Sequence, residues 1–309
     1  MALESNSRPN DVEADGKLSS RTVVSSAPSS GRRIQDDYAM PLAEIFEVRL
    51  VEIRGKPSVS IHGKLDIESG GGPVRIFDRP DETCAHRIRS KEPIPIQAPW
   101  RAISGLSDVV LRIKLKEGQK EFIKDIIYFD PSRDKHNRVL IKRSVGIGGS
   151  LAMKLAVYES AVVATIEIKL ISGKSSQEKS RLYGRIAASN SLLPKMETLL
   201  FSKKRGDHIE LACGDNIPLC RSVKPVPDDE SLQIQVRLYD LSGGYFLTGS
   251  KYFVSPKYAC DVVEYIDGRH GQRIEVKVTW DDYTSHILSN GACSLQYCKR
   301  QSTVKKELS

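Results

Sequence analysis

The sequence IFEVRL at residues 45–50 decides the fold, because it recurs as TIEIKL at residues 165–170, an offset of 120 residues. Both segments are rich in β formers, and apolar and charged residues largely alternate along them with a period of two. This pattern is typical of a half-buried β-strand. A strand sequence that recurs at such a distance indicates an internal repeat. If the repeat is real, the neighbouring segments should match at a similar offset.

The repeat continues on the C-terminal side of each copy with little change in spacing. Four further segments match: HGK at 62–64 with YGR at 183–185 (offset 121), alternating apolar residues of 109–115 with those of 232–238 (offset 123), YFDP at 128–131 with FVSP at 253–256 (offset 125), and MKL at 153–155 with VKV at 276–278 (offset 123). A drift of only about five residues over this length favours duplication over chance.

The size and rhythm of each copy predict a tandem duplicated, all-β, antiparallel β-sandwich, with the two similar sandwiches packed together. We expect copy 1 at residues 41–160 and copy 2 at 161–283, with strands at 151–158 and 162–171 on either side of the boundary. No amphipathic helix of ten or more residues is predicted. The serine-rich residues 1–40 are predicted to be a disordered tail, and residues 284–309 a basic flexible tail.

Composition narrows the class of protein and its partners. The chain has 309 residues, 39% of them apolar and 28% charged, which excludes a collagen or a wholly disordered protein. A net charge of +8 favours acidic partners without naming one. No apolar run approaches a membrane span, the N-terminus lacks a secretory signal, and the six cysteines form no C-x-x-C pair. We therefore predict reduced cysteines and a cytoplasmic or nuclear location.

Signatures of catalysis, cofactor binding and metal binding are missing from the sequence. It contains no G-x-S-x-G elbow, H-E-x-x-H motif, Walker loop or dinucleotide-binding G-x-G-x-x-G. His62 is interpreted as a structural residue of a strand. The turns at 116–119 and 239–244 supply one carboxylate each, fewer than a calcium ion needs. The prediction is no catalytic residue, no cofactor and no metal.

Binding of RNA calls for basic residues interleaved with exposed aromatic residues. The most basic strand, Arg112-Ile113-Lys114-Leu115-Lys116, offers outward basic positions but no aromatic residue. The aromatic residues between 239 and 253 are assigned mostly to core packing. Two short clusters remain as possible contacts to phosphate or to a partner: Lys203, Lys204 and Arg205, and Lys299 and Arg300.

Several of these segments resemble a plant domain family of unknown function that is abundant in grasses. The resemblance rests on IFEVRLVEIRG (45–55), VSIHGKLDI (59–67), IFDRP (76–80), HIELACGDNIPLCRSVKPV (208–226), FVSPK (253–257) and RIEVKVTW (273–280). Members occur alone or at the C-terminal end of jasmonate-induced, ribosome-inactivating proteins. The resemblance implies a role in stress or defence. It carries over no catalytic residue, because the N-glycosidase of the fused members is a separate, preceding domain.

Three functions remain open from the sequence. The first is a non-catalytic interaction module of a stress or defence protein that binds a protein or ribonucleoprotein partner. The second is an accessory factor that binds RNA or the ribosome and modulates translation. The third is an unrecognised hydrolase with its site between the two copies. Neither a membrane nor DNA is expected as a partner.

Overall fold

The computed structural model describes residues 39–69, 72–97, 102–131, 136–173, 179–242, 244–256 and 259–281. The two predicted tails, apart from residues 39 and 40, lie outside these residues. Within the described ranges the chain forms seventeen β-strands and two short 3-10 turns, with no α-helix. Every strand pairing is antiparallel. The predicted all-β, antiparallel class is therefore confirmed.

The strands follow one another along the chain with short connections. The first nine are β1 (Met40–Ile53), β2 (Ser58–Ser69), β3 (Gly72–Arg79), β4 (His86–Arg89), β5 (Ile103–Ser104), β6 (Val109–Glu117), β7 (Lys120–Phe129), β8 (Leu140–Val145) and β9 (Gly149–Ser172). The other eight are β10 (Ser180–Asn190), β11 (Thr198–Lys203), β12 (Ile209–Leu211), β13 (Val223–Pro227), β14 (Ser231–Asp240), β15 (Gly244–Val254), β16 (Cys260–Asp267) and β17 (Arg273–Asp281).

Three sheets make up the fold. A central sheet has the order β16-β17-β9-β1-β5, and β8 and β13 also pair with β9. A first outer sheet has the order β3-β2-β6-β7, and a second outer sheet has the order β11-β10-β14-β15. The strand order of the second outer sheet repeats that of the first, and β12 pairs with β10 as β4 pairs with β2.

The long strand β9 belongs to both halves of the central sheet. Its N-terminal part pairs with β1 and β8, and its C-terminal part pairs with β17 and β13. The prediction of two strands, 151–158 and 162–171, is wrong on this point, because residues 149–172 form one uninterrupted strand. The proposed division at residue 160 therefore falls inside a strand that the two halves share.

Each outer sheet covers its own half of the central sheet. One apolar core lies between the first outer sheet and β1 with the N-terminal part of β9, and a second lies between the second outer sheet and β17 with the C-terminal part of β9. A third, smaller cluster, which includes Leu42, Phe46 and Val223, fills the seam between the halves. The alternation read from the sequence places these side chains inward because neighbouring residues of a strand face opposite sides.

The register of the hairpins β6–β7 and β14–β15 corrects one of the sequence offsets predicted for the repeat. Val109 of β6 pairs with Phe129, and the corresponding Leu232 of β14 pairs with Phe253. The offset at this point is 124 rather than 125, since the second hairpin turn is longer by one residue instead of two. Tyr128 thus corresponds to Tyr252, and both are exposed, at 59% and 63% of their surface.

Candidate nucleic-acid interface

The outward faces of the two outer sheets carry basic residues at matching positions. In the first outer sheet Lys64 of β2 lies directly across from Lys114 of β6. In the second, Arg185 of β10 lies directly across from Arg237 of β14. Since the surrounding strands correspond one to one, the two halves present the same kind of cationic pair at the same place.

Stability alone does not account for these pairs. Like charges directly opposite each other on antiparallel strands destabilise a sheet, by an amount on the order of 0.2–1 kcal/mol. Within the described residues, Lys64, Lys114 and Arg237 form no ion pair, while Arg185 binds Glu197 with an Nη2–Oε2 distance of 2.5 Å. Three of the four cations therefore have no ion-pair partner among the described residues, and unpaired cations on adjacent strands favour the binding of an anion.

Two tyrosines stand beside the arginine pair. Tyr183 of β10 lies directly across from Tyr239 of β14, two residues from Arg185 and Arg237 respectively. Their rings stack with centroids 5.3 Å apart and planes 20° apart, and both side chains are only partly buried. At about 3.4 Å per residue, the step from each tyrosine to its arginine along the same face is about 7 Å.

Side-chain amides continue the same face on the other side of the arginines. Gln235 donates a hydrogen bond from Nε2 to Oε1 of Gln233 at 3.2 Å. Gln233 in turn donates from Nε2 to the hydroxyl of Tyr252 at 2.7 Å. We name the set Tyr183, Arg185, Gln233, Gln235, Arg237 and Tyr239 the aromatic face. The corresponding set on the first outer sheet, Lys64, Lys114 and Lys116, is the lysine face.

One of the clusters predicted from the sequence lies at the edge of the second outer sheet. Lys203 ends β11 across from Gly184, so strand alternation places it on the other side of the sheet from Tyr183 and Arg185. Its ammonium binds Asp207 at 2.9 Å, whereas Lys204 and Arg205 are exposed at the following 3-10 turn. Lys299 and Arg300 lie outside the described residues.

A separate polar cluster is buried in the seam between the halves. The Glu44 carboxylate of β1 accepts hydrogen bonds from Tyr158 of β9 at 2.7 Å, from Thr198 of β11 and from the ammonium of Lys224 of β13. Asn190 donates to the Tyr158 hydroxyl at 2.8 Å. Lys224 and Glu44 are 0% and 4% exposed. Burial lowers the pKa of Lys224 and raises that of Tyr158 well above its usual range.

The cavity in this seam is too small for a substrate. It is lined by Glu44, Thr198, Arg221 and apolar residues, and its volume of about 10 Å³ corresponds to no more than one water molecule. The guanidinium of Arg221 is held by the carbonyl oxygens of Ile45 and Phe46, at 2.6 and 3.4 Å. The only acid of this lining is already bound by three donors, so the geometry gives no support to a hydrolase at this position.

Other candidate sites of the sequence remain ordinary parts of the fold. The His62 ring lies with Nε2 at 2.8 Å from the carbonyl oxygen of Gly118, which fits its interpretation as a structural residue. Among the described residues, no three His, Cys, Asp or Glu side chains converge as metal ligands. In the same residues, Cys84, Cys213, Cys220 and Cys260 form no disulfide. No described helix has the length and apolar character of a membrane span.

The basic and aromatic residues of the interface were only partly visible in the sequence. The outward direction of Arg112, Lys114 and Lys116 was predicted from alternation and is confirmed by their exposure. The pairing of Tyr183 with Tyr239 was missed, since β10 and β14 are separated by three other strands. The motif YGR at 183–185, aligned with HGK at 62–64, was the one available signal.

Comparisons with known proteins give the following matches. A family model described as "Domain of unknown function (DUF6598)" matches residues 42–278. No curated protein matches the chain. A structure of human GIVD cytosolic phospholipase A2 is similar with a TM-score of 0.25 and 10% identity over 79% of this chain and 30% of that chain. A second structure of that phospholipase, in complex with methyl gamma-linolenyl fluorophosphonate inhibitor and terbium chloride, has a TM-score of 0.22 and 9% identity over 78% and 32%.

The chain thus spans about a third of the length of the phospholipase chains that it matches. TM-scores at this level do not establish a shared fold, and the phospholipase activity is not carried over to this chain.

Proposed function

Because the chain belongs to the DUF6598 family of domains of unknown function, we propose its function from geometry: it is a non-catalytic interaction module that binds RNA through its outer sheets. The observation that carries this proposal is the pair of like-charged residues at matching positions of the two outer sheets. Lys64 faces Lys114, and Arg185 faces Arg237.

A phosphate group supplies the negative charge that would neutralise these cationic pairs. A phosphodiester backbone brings a regular series of anions, and its binding to lysine and arginine releases condensed counterions. On the outward side of the sheets Lys114, Arg185 and Arg237 are exposed and Lys64 is half-buried, so an extended strand of RNA has access to both pairs. The net charge of +8 adds attraction at long range.

The wider biological setting belongs to the same proposal. The resemblance to plant domains associated with ribosome-inactivating proteins supports a role in stress or defence, with RNA or a ribonucleoprotein as the partner. Modulation of translation would follow from binding at such a partner. A cytoplasmic or nuclear location fits this role.

Salt dependence of binding tests this function. We expect a fluorescently labelled RNA of about 20 nucleotides to bind the full chain, with an affinity that falls steeply between 50 and 200 mM salt, by about 0.7 log units per phosphate contact for each tenfold change in salt. The variant with Lys64→Glu, Lys114→Glu, Arg185→Glu and Arg237→Glu should lose at least tenfold in affinity and show a shallower slope.

A control variant makes the same kind of charge reversal at two positions outside the outer sheets, so the two variants are compared per reversed charge. Arg143 on β8 and Arg269 in the turn before β17 are exposed. The double variant Arg143→Glu, Arg269→Glu should reduce affinity far less per charge than the outer-sheet variant. Equal losses per charge, or no binding by the unmodified chain, would overturn the proposal.

A protein partner is the second candidate, favoured by apolar side chains on an edge strand. Ile141 and Val145 of β8 are 55% and 65% exposed, and Ile147 in the next turn is 73% exposed. Exposed apolar residues grouped in this way mark interaction surfaces. A partner that survives RNase treatment and is lost in the variant Ile141→Glu, Val145→Glu would support this function. A partner retained by that variant would contradict it.

A further inference from the structure

The two outer faces differ chemically at the positions next to their basic pairs. Where the second outer sheet has Tyr183 and Tyr239, the first has His62 and Lys116 across from each other. The His62 ring is 7% exposed and turned to the Gly118 carbonyl oxygen. At the positions next to its basic pair, the lysine face therefore offers cations without an accessible ring, whereas the aromatic face offers both. The exposed Tyr128 of the first outer sheet lies on β7, at the position that corresponds to Tyr252.

Stacked tyrosines on an open sheet suit a particular ligand. Aromatic side chains bind unpaired bases by stacking, because every base has a π-face, and this contact tolerates any sequence. The rings of Tyr183 and Tyr239 are already parallel within 20°. A base placed against the Tyr183 ring extends the stack, and its phosphate then comes within reach of the long side chain of Arg185.

The amides on the same face add groups that can read a base. Gln235 and Gln233 are half-buried and held in a chain of hydrogen bonds that ends at Tyr252. Single-stranded RNA is recognised through hydrogen bonds to base edges together with stacking. In a duplex, by contrast, the bases are paired and stacked on each other, so no base face inside the duplex is free to stack on a tyrosine.

We propose that the two copies have diverged in the ligand they take: the aromatic face binds unpaired bases of single-stranded RNA, and the lysine face binds phosphate alone. This inference rests on the proposed function and adds to it the strandedness of the ligand and the division of labour between the halves. It predicts that the second half alone sets the preference for single strands over duplex.

The charged groups around each face fit this assignment. On the lysine face, neighbouring basic residues are paired with acids: Arg112 with Glu68 at 2.6 Å and Arg75 with Asp66 at 2.9 Å. Lys124, which lies across from Lys114 on β7, has Glu121 at 3.9 Å. On the aromatic face Glu197 binds Arg185, and Glu210 lies across from Arg181. Asp78 of β3 lies directly across from Lys64, and Glu121 lies directly across from Lys116. The acids near the lysine face are bound by Arg75, Arg112 and Lys124 rather than by Lys64 or Lys114.

The experiment compares oligo(U) with an RNA duplex of the same length, by fluorescence anisotropy on the full chain. In the variant Tyr183→Leu, Tyr239→Leu, affinity for oligo(U) should fall by about tenfold or more, since stacking is lost. Affinity for the duplex should change by less than about twofold. The variant Tyr183→Phe, Tyr239→Phe, which keeps both rings, should bind oligo(U) within about threefold of the unmodified chain.

Two further variants assign the role of the lysine face. Lys64→Glu, Lys114→Glu should weaken oligo(U) and duplex by similar factors and lower the salt slope for both. Tyr128→Leu serves as a matched control, because Tyr128 is an exposed tyrosine of the first outer sheet outside either set. This control should leave the ratio of single-strand to duplex affinity unchanged.

Each outcome separates this inference from the proposed function. If neither RNA binds, the proposed function itself is wrong. If RNA binds with a steep salt slope but the leucine variant keeps full affinity for oligo(U), the divergence of the two faces is wrong and phosphate binding stands. Circular dichroism of the leucine variant checks folding. If that variant is unfolded, the single variants Tyr183→Leu and Tyr239→Leu replace it. Selective loss of oligo(U) binding in a folded single variant supports the inference, and full retention in both contradicts it.

Discussion

At the scale of single residues, the buried Glu44 connects the two halves of the molecule through an ion pair. It lies on β1, and the ammonium that binds it belongs to Lys224, 180 residues further along the chain. Lys224 also lies 5.6 Å from the centre of the Phe46 ring, which adds a cation–π contact. A charge buried to this degree is tolerated only while its partner remains.

Replacement of Lys224 by methionine tests this dependence. Lys224→Met leaves the Glu44 carboxylate buried without its ion-pair partner, so the free energy of unfolding should fall by about 3–5 kcal/mol. Urea unfolding measures the change. The double variant Glu44→Gln, Lys224→Met removes both charges and should lose clearly less than the single variant. An equal or larger loss in the double variant would contradict the account of the seam.

Tyr158 gives the seam a dependence on alkaline pH. Burial, with the nearby Glu44 charge, raises its pKa well above the usual value. In the unfolded chain the phenol loses its proton near pH 10, while the folded chain retains it. The folded state then binds more protons than the unfolded state, so stability falls as pH rises above about 10.

The variant Tyr158→Phe isolates this effect from other groups, including Lys224, whose pKa is shifted in the opposite direction. At pH 9 the unmodified chain should be the more stable of the two, because the variant loses the bond to Glu44. By pH 11 the difference between their unfolding free energies should shrink. A difference that stays constant between these two pH values would show that Tyr158 does not resist ionisation in the fold.

At the scale of the strands, one glycine in each outer sheet allows two neighbouring strands to approach closely. Gly63 in β2 and Gly184 in β10 have φ of +117° and +129°, and a Cβ at either position would lie 2.0 or 2.2 Å from a backbone oxygen, that of Lys114 or Arg237. Lys114 and Arg237 each supply one member of a basic pair. The close approach of the strands, which only glycine permits, therefore lies at the proposed interface itself.

Gly184→Ala should cost about 2–4 kcal/mol of stability, since strain at positive φ adds to a clash with the backbone. Thermal unfolding measures the loss. Gly206→Ala is the matched control in the same half, because a Cβ there meets nothing within 4 Å and its φ is not positive. That control should be neutral or slightly stabilising. Similar melting temperatures for the two variants would contradict the role of Gly184.

The alternation of apolar and polar residues was sufficient to predict most strands of the fold. It could not predict which strands pair when they are far apart in the chain. Val109, Leu111, Ile113 and Leu115 predicted β6 because one face of that strand is fully buried. The strand β13 contains Pro225 and Pro227, which disfavour a strand, yet its five residues are buried and pair with β9. Its position is set by β9 and the Glu44–Lys224 pair, contacts that no local pattern contains.

The candidate site could likewise be predicted only in part from the sequence. Each basic residue of the two faces could be placed outward from its own strand. Which cations face one another depends on the pairing of β2 with β6 and of β10 with β14, strands that are not consecutive. The tyrosine stack depends on that pairing in the same way, so aromatic residues near it were assigned to the core.

At the scale of the whole molecule, the sharing of β9 predicts that the two halves unfold together. Neither half completes the central sheet without the other, and the seam adds its own apolar and polar contacts. Hydrogen exchange of β6 and of β14 should therefore report the same global free energy of unfolding. Gly184→Ala, located in the second half, should lower both values equally. A drop confined to β14 would show that the halves are independent domains.

Photo-crosslinking to the full chain of a labelled oligo(U) that carries a photoreactive base, with the adducts located by mass spectrometry, tests whether the second outer sheet binds unpaired bases. We expect adducts in the peptides that carry β10 and β14, at Tyr183 and Tyr239, and we expect excess unlabelled oligo(U) without the photoreactive base to suppress them. Adducts that form only outside the second outer sheet, or that an excess of unlabelled oligo(U) does not suppress, would contradict this expectation.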